Sequence, residues 1–184
     1  ITAQIGTGND VPANTLYSPV YRFSATSTTT AAKSDILFTQ AELAAAGIYA
    51  GSTITKLEFN KTTPDSFIVP ANFSMYLGNT SNTSLPTTTT WASILASHTQ
   101  VYTNSAFKLP NTSGWVAINV APFVYTGGSL EIATELTMTG NGGASGPFKW
   151  EYTASTPVTM IVCVTGTGTT LNGSVAGYKY RPNI

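Results

Sequence analysis

The feature that most constrains this chain is a period-two alternation of apolar and polar side chains in short segments. It recurs in five places, at residues 55–59, 73–77, 116–120, 130–136 and 148–152. Successive side chains of an extended strand point to opposite faces, so each segment can bury one face and expose the other. The pattern predicts β-strands whose buried face must be covered by a second layer.

Glycine-rich turns and long loops separate these strands. The turns fall at residues 126–128, 141–143 and 172–173, and longer loops at 62–65 and 85–87. Loops of ten or more residues between strands favour jelly-roll or Greek-key connections over a simple meander. We therefore predict an all-β fold, an antiparallel jelly-roll-like β-sandwich, with residues 1–184 forming a single domain.

One segment has the pattern of a helix. Thr39 and Glu42 form a capping box, and good helix formers follow until Gly47, which is suited to end a helix. The sequence thus predicts one short helix over residues 39–46 in a sheet protein.

Composition excludes several classes of partner. Charged residues make up 9% of the chain and the formal net charge is zero, whereas nucleic-acid binding requires a basic surface. The longest apolar run, residues 160–164, is far too short to span a membrane. A neutral surface rich in Thr, Ser and Asn tolerates self-association. We expect a secreted protein whose signal peptide was removed before Ile1.

Residues suited to catalysis are scarce. The single histidine, His98, has no nucleophile elbow near it, and we interpret it as a surface or edge-strand residue. Glu131 and Glu135 share a strand face but lie about 13 Å apart, beyond the separation of a glycosidase pair. We interpret both as solvated acids, and Cys163 as an inert core thiol. The sequence predicts no enzyme.

Metal ligands are also sparse. Zinc is bound by clustered Cys and His, and the chain has one of each. We therefore predict no cofactor and no metal site, with Asp10 and Asp65 as weak candidate calcium ligands outside any calcium-loop pattern.

Aromatic residues are the remaining candidates for ligand binding, because sugar rings stack on aromatic faces. The candidate ligand-binding residues are Trp91, Tyr76, Tyr152 and Tyr178. Trp91 follows a polar stretch and is the tryptophan we expect to be exposed. The alternative interpretation is that Trp115 and Trp150 fill the core, and we favour the core for Trp150.

Several segments together resemble a module of secreted Bacteroidota (Flavobacteria-type) surface proteins. The matching segments are 4–8 (QIGTG), 17–21 (YSPVY), 38–48 (FTQAELAAAGI), 51–59 (GSTITKLEF), 72–80 (NFSMYLGNT), 115–130 (from Trp115 to GGSL) and 180–184 (YRPNI). Asn79 stands where that module commonly has histidine. The segments are in the module's order and cover nearly the whole chain.

The resemblance implies a jelly-roll-like sandwich from large exported proteins that carry a C-terminal sorting domain. It implies surface display, adhesion or polymer binding, and supplies no catalytic residues. The present sequence ends at Ile184 without that sorting signal, so the mode of attachment stays open.

Two functions are consistent with the sequence. The first is a non-catalytic extracellular surface module that acts in adhesion or as a self-assembling fibre or surface-layer subunit, pairing through edge strands such as residues 1–5. The alternative is a carbohydrate-binding accessory module of a secreted hydrolase, whose partner is an extracellular polysaccharide.

Overall fold

The computed structural model describes residues 2–9, 19–20, 29–66, 68–138, 149–154, 160–172 and 180–184. Within these ranges the chain forms antiparallel strands and two short helices. The strands are β1 (Ala31–Phe38), β2 (Thr53–Lys61), β3 (Ala71–Thr80), β4 (Thr88–Thr90), β5 (Thr99–Phe107), β6 (Gly114–Val124), β7 (Ser129–Met138), β8 (Tyr152–Ala154), β9 (Ile161–Thr165), β10 (Thr170–Asn172) and β11 (Tyr180–Pro182). The helices are α1 (Gln40–Ala45) and α2 (Trp91–Leu95).

Seven strands form the larger sheet, in the order β4-β10-β9-β1-β7-β3-β5. β1 lies inside this sheet and pairs with β7 on one side and β9 on the other. Neighbouring strands are therefore distant in sequence, as the long loops predict. The antiparallel all-β fold predicted from the alternation is confirmed.

The second layer consists of two strand pairs, β2 with β6 and β8 with β11. A bridge between Lys61 and Trp150 joins them. The N-terminal segment joins the same layer, since Ile5 and Ile184 exchange two backbone hydrogen bonds of 2.7 and 3.0 Å. Ile5, expected to pair with another subunit, thus pairs within its own chain.

The main hydrophobic core lies between the two layers. It includes Phe73 and Ile132 from the larger sheet, Phe59 and Ile118 from β2 and β6, and Trp150 beside β8. These residues occupy the alternating apolar positions, so the period-two pattern correctly identifies the buried faces. Phe148, predicted to share the stripe with Trp150, lies outside the described residues.

Helix α1 has the predicted capping box. The Thr39 side chain accepts from the Glu42 backbone N–H, and the Glu42 carboxylate accepts from the Thr39 N–H at 2.9 Å. Gly47 follows the helix with φ of +83°, which a residue with a side chain adopts only with strain. The predicted helix is confirmed.

Helix α2 was not predicted. The Thr90 side chain caps it by accepting from Ser93 N at 3.2 Å, and this Thr-x-x-Ser spacing was the signal in the sequence. Trp91 and Ile94 cover the outer face of the larger sheet, where Leu37 and Val162 meet them in a second, smaller core. All eight residues of β1 are consequently buried. No helix in the described ranges has the length and apolarity needed to cross a membrane.

Candidate functional site

An open groove of 610 Å³ lies beside β2. It separates residues 53–58 of β2 from the N-terminal residues 2–5. Its apolar lining comes from Phe38, Leu43, Ile48, Ile54, Leu57, Leu130 and Ile184, with Trp115 among the residues that border it.

The groove exists because, among the described residues, β2 pairs with the segment that contains Trp150 only at its C-terminal end. Near its end, the backbone carbonyl of Asn60 accepts from Glu151 N at 2.9 Å and Thr62 N donates to Lys149 O at 2.8 Å. Beyond Glu151, β11 takes the place of β2, since Asn183 N donates to Glu151 O at 3.0 Å. In the described part of the chain, residues 53–58 are therefore paired on the β6 side only.

The free edge presents backbone hydrogen-bonding groups to the groove. Both groups of one strand residue point to the same side, and the side alternates along the strand. The backbone carbonyl of Asn60 points away from β6. The backbone groups of Glu58 and Lys56 therefore point away from β6 as well. Their side chains form an ion pair at 3.1 Å, so the groove offers backbone polar groups, apolar surface and charge together.

Trp115 is the exposed tryptophan, with 44% of its surface accessible. It pairs with Asn60 across the β2–β6 ladder. The expectation that Trp115 fills the core is wrong, because its strand position falls on the outer face of β6. Its inward-facing neighbour Val116 packs in the core.

Trp91 was expected to be exposed, and this is wrong: it is only 6% exposed. Its ring meets Tyr76 edge-on, with centroids 5.9 Å apart, in the second core. Tyr76 is half-buried. Helix α2, which was not predicted, turns Trp91 inward.

The remaining aromatic residues considered in the sequence are Tyr152, Trp150 and Tyr178. Tyr152 is 1% exposed and belongs to the main core, so it presents no platform for a ligand. Trp150 is a core residue, as favoured, and its Nε1 donates to Val20 O at 3.0 Å. Tyr178 lies outside the described residues. The predicted aromatic platform is not assembled among the residues that are described.

The candidate calcium ligands remain predictions. Asp10 lies outside the described ranges. Asp65 is half-buried, and its backbone carbonyl accepts from Lys61 Nζ at 2.6 Å. Asp65 does not belong to any group of three candidate metal ligands found in the described part of the chain.

A second site lies under α2 and was not predicted. Asp35 of β1, Glu131 of β7 and His98 bring one ligand atom each to within 4.8 Å of one another. His98 Nε2 lies 3.8 Å from Asp35 Oδ1 and 3.5 Å from Glu131 Oε2. The side chains of His98, Asp35 and Glu131 are 0%, 2% and 8% exposed. We call these three residues the Asp–His–Glu cluster.

The cluster corrects two interpretations made from the sequence. His98 is not a surface residue, because its ring is folded under the end of α2 onto the sheet. Glu131 is not a solvated acid, because α2 and the preceding loop cover its face of the sheet. Glu135, four residues along, is half-buried and pairs with Lys33 at 3.3 Å. The available signal was Asp35, an acid that directly precedes the apolar residues 36–38 of β1.

Burial shifts the acid–base properties of the cluster. Desolvation, reinforced by the charge of Glu131, raises the pKa of the Asp35 carboxyl well above its usual value. Desolvation lowers the pKa of His98, against the opposing effects of the Glu131 charge and a hydrogen bond to Ile94. Burial therefore favours the neutral forms of both Asp35 and His98.

No family model matches the chain. No curated protein matches it in sequence. Among solved structures, it is similar to the crystal structure of the cysteine protease and lectin-like domains of Cwp84, a surface-layer-associated protein of Clostridium difficile, at 9% identity and a TM-score of 0.47. The similarity covers 84% of this chain and 32% of that one, so this chain spans about a third of that structure.

Proposed function

We propose that this protein is a non-catalytic extracellular module that joins copies of itself by adding a β-strand at the groove beside β2. The observation that carries the proposal is the free edge of residues 53–58. An exposed edge with unpaired backbone groups accepts an extended segment from another chain, and alternate side chains of that segment supply specificity.

The groove has the two properties that strand addition needs. The backbone groups of Lys56 and Glu58 point into it and are available to an incoming strand. Its apolar lining, with Leu43 and Leu57 among the contributors, suits the alternate side chains that such a strand directs inward. Strand addition would extend the second layer and cover this lining.

Surface composition supports an extracellular, self-associating protein. The net charge is zero and charged residues are 9% of the chain, so charge repulsion between copies is weak. The non-catalytic part of the proposal is supported by the burial of His98, whose ring is 0% exposed and out of reach of a polymeric substrate.

The test is negative-stain electron microscopy and size-exclusion chromatography across a range of concentrations. We expect the native chain to form filaments or concentration-dependent oligomers. A Glu58→Pro variant, which loses the edge N–H donor, should stay monomeric. Glu58→Ala, which keeps that donor, should assemble like the native chain. A native chain that is monomeric at every concentration would overturn the proposal.

A second function, polysaccharide binding, is favoured by Trp115. Its ring is 44% exposed at the border of the groove, where Lys56 and Glu58 supply polar partners for hydroxyl groups. Affinity electrophoresis in gels containing polysaccharides tests it. Retardation that Trp115→Ala abolishes and Trp115→Tyr retains would support sugar stacking. Equal mobility of the native chain in every gel would exclude it.

A further inference from the structure

We propose that the Asp–His–Glu cluster is a structural binding site for a divalent transition-metal cation of the zinc class. The ligands are His98 Nε2, Asp35 Oδ1 and Glu131 Oε2. The site is independent of the groove, because it lies on the opposite face of the larger sheet under α2.

Burial without a protein cation is the first argument. Two carboxyl groups and an imidazole, whose side chains are 2%, 8% and 0% exposed, face one another in a site that water barely reaches. Burying polar groups without partners is costly. The neighbouring cation Lys33 pairs with Glu135 instead, and no Lys or Arg within the described ranges forms an ion pair with Asp35 or Glu131. One divalent cation neutralises the two carboxylates.

The distances within the cluster are the second argument. The separations of 3.5 and 3.8 Å are too long for hydrogen bonds. Atoms bound tetrahedrally at zinc distances lie about 3.3–3.6 Å from one another, so the separation from Glu131 fits and the separation from Asp35 is slightly longer. Asp35 Oδ1 and His98 Nε2 are also buried without a hydrogen-bond partner. Both atoms point at the same space, where a cation would satisfy them.

The surrounding contacts orient the ligands as in known metal sites. His98 Nδ1 lies 2.7 Å from the carbonyl of Ile94, so Nδ1 carries the proton and the Nε2 lone pair faces the carboxylates. Asn82 Nδ2 donates to Glu131 Oε1 at 3.0 Å, which leaves Oε2 for the cation. A ligating histidine and a ligating carboxylate are normally held by such outer contacts.

The ligand types indicate which cation fits. Imidazole nitrogen with carboxylate oxygen suits zinc and neighbouring transition metals, whereas calcium and magnesium prefer all-oxygen sites. Three protein ligands leave the fourth position of a tetrahedral site to a water molecule, and the burial of the ligands, which are 0%, 2% and 8% exposed, favours a structural role. The cation would tie the end of α2 to β1 and β7, and so hold the second core in place.

The test uses untagged protein, stripped with a chelator and dialysed against Zn²⁺ or Co²⁺. We expect one bound metal per chain by elemental analysis, a rise in Tm on Zn²⁺ addition, and the visible absorption of four-coordinate Co²⁺. His98→Asn and Glu131→Gln should abolish these signals, while Asn82→Ala should weaken zinc affinity about 10-fold. Glu135→Gln, on the same face of β7, is the matched control and should bind like the native chain.

The Asp35→Asn variant distinguishes a cluster that binds a metal from a cluster in which the three side chains share only a proton. With a metal, this variant loses a ligand, so it should lower the Tm of the zinc-loaded protein and leave the stripped protein unaffected or stabilised. Without a metal, added zinc has no site to occupy, and the variant should shift Tm equally under both conditions. That second outcome, or the absence of stoichiometric metal in the native chain, overturns the proposal.

Discussion

The imidazole ring of His98 lies against the backbone of Gly78, so closely that a Cβ at position 78 would stand 2.9 Å from ring atoms Cε1 and Nδ1. Real Cβ atoms do not approach ring atoms to that distance. The absence of a side chain on this residue of β3 is therefore what lets His98 fold down onto the sheet. The position of the Asp–His–Glu cluster therefore depends on Gly78, which is not one of its three residues.

Gly78→Ala should displace the His98 ring. We expect a loss of about 1–3 kcal/mol in the free energy of unfolding, typical of overpacking, measured by urea denaturation. A double-mutant cycle with His98→Ala isolates the contact, since the added methyl should be tolerated once the ring is gone. Additive effects of the two substitutions would contradict the steric account.

Trp91→Ala should cost about 3–5 kcal/mol of stability, because it removes the largest side chain of the second core. Thermal and urea unfolding of the purified variant measure this loss. Trp115→Ala serves as the matched comparison. Its ring is 44% exposed, so we expect a loss below about 1 kcal/mol. Equal losses for the two variants would show that the burial of these tryptophans is assigned incorrectly.

Glu42→Gln should destabilise the fold at neutral pH. Partial burial raises the pKa of the Glu42 carboxyl, but hydrogen bonds from Arg181 and Thr39 and the charge of Arg181 together hold it below the usual value. A lowered pKa contributes stability that is present above the unfolded-state pKa and lost as pH falls through the folded-state pKa. We expect a gap of about 1.5–3 kcal/mol between native chain and variant at pH 7.

The difference in the free energy of unfolding between the native chain and Glu42→Gln should disappear at acidic pH. Urea unfolding of both proteins from pH 7 downward measures it, and acids common to both cancel in the difference. Glu58→Gln is the control, since its pair with Lys56 is more exposed and should contribute less than about 1 kcal/mol. A Glu42→Gln gap that is constant across this range would contradict a role for the charged carboxylate.

Cys163 should resist thiol reagents in the folded protein. It is 2% exposed, and burial raises the pKa of its thiol to about 12. Thiolate is the reactive form, so we expect labelling at neutral pH only as the chain unfolds. Labelling followed by mass spectrometry across a urea series should track the unfolding curve. Rapid modification without denaturant would place Cys163 outside the core.

The sequence was sufficient for features that depend on local patterns. Alternation along β3 and β7 identified which side chains face the main core, because the strand period is two wherever one face is buried. The capping box at Thr39 and Glu42 located α1, because both partners lie within one helical turn. These features need no knowledge of what lies elsewhere in the chain.

Local patterns failed where a distant segment covers the residue concerned. Alternation places Glu131 on the outer face of the sheet, and outer was taken to mean solvated. Helix α2 covers that face, so Glu131 is buried and Trp91 is buried with it. Trp115 was misplaced for a different reason, because the alternation of the buried Val116 and Ile118 already puts it on the outer face of β6.

The sequence by itself therefore determined the fold class, the main core and the first helix of this protein. Only the tertiary structure decided that β2 separates from its neighbour to open a groove, and that Asp35, His98 and Glu131 meet. These three residues come from segments separated by dozens of positions. Strand pairing and the covering of one sheet face bring them together, and neither depends on a short-range pattern.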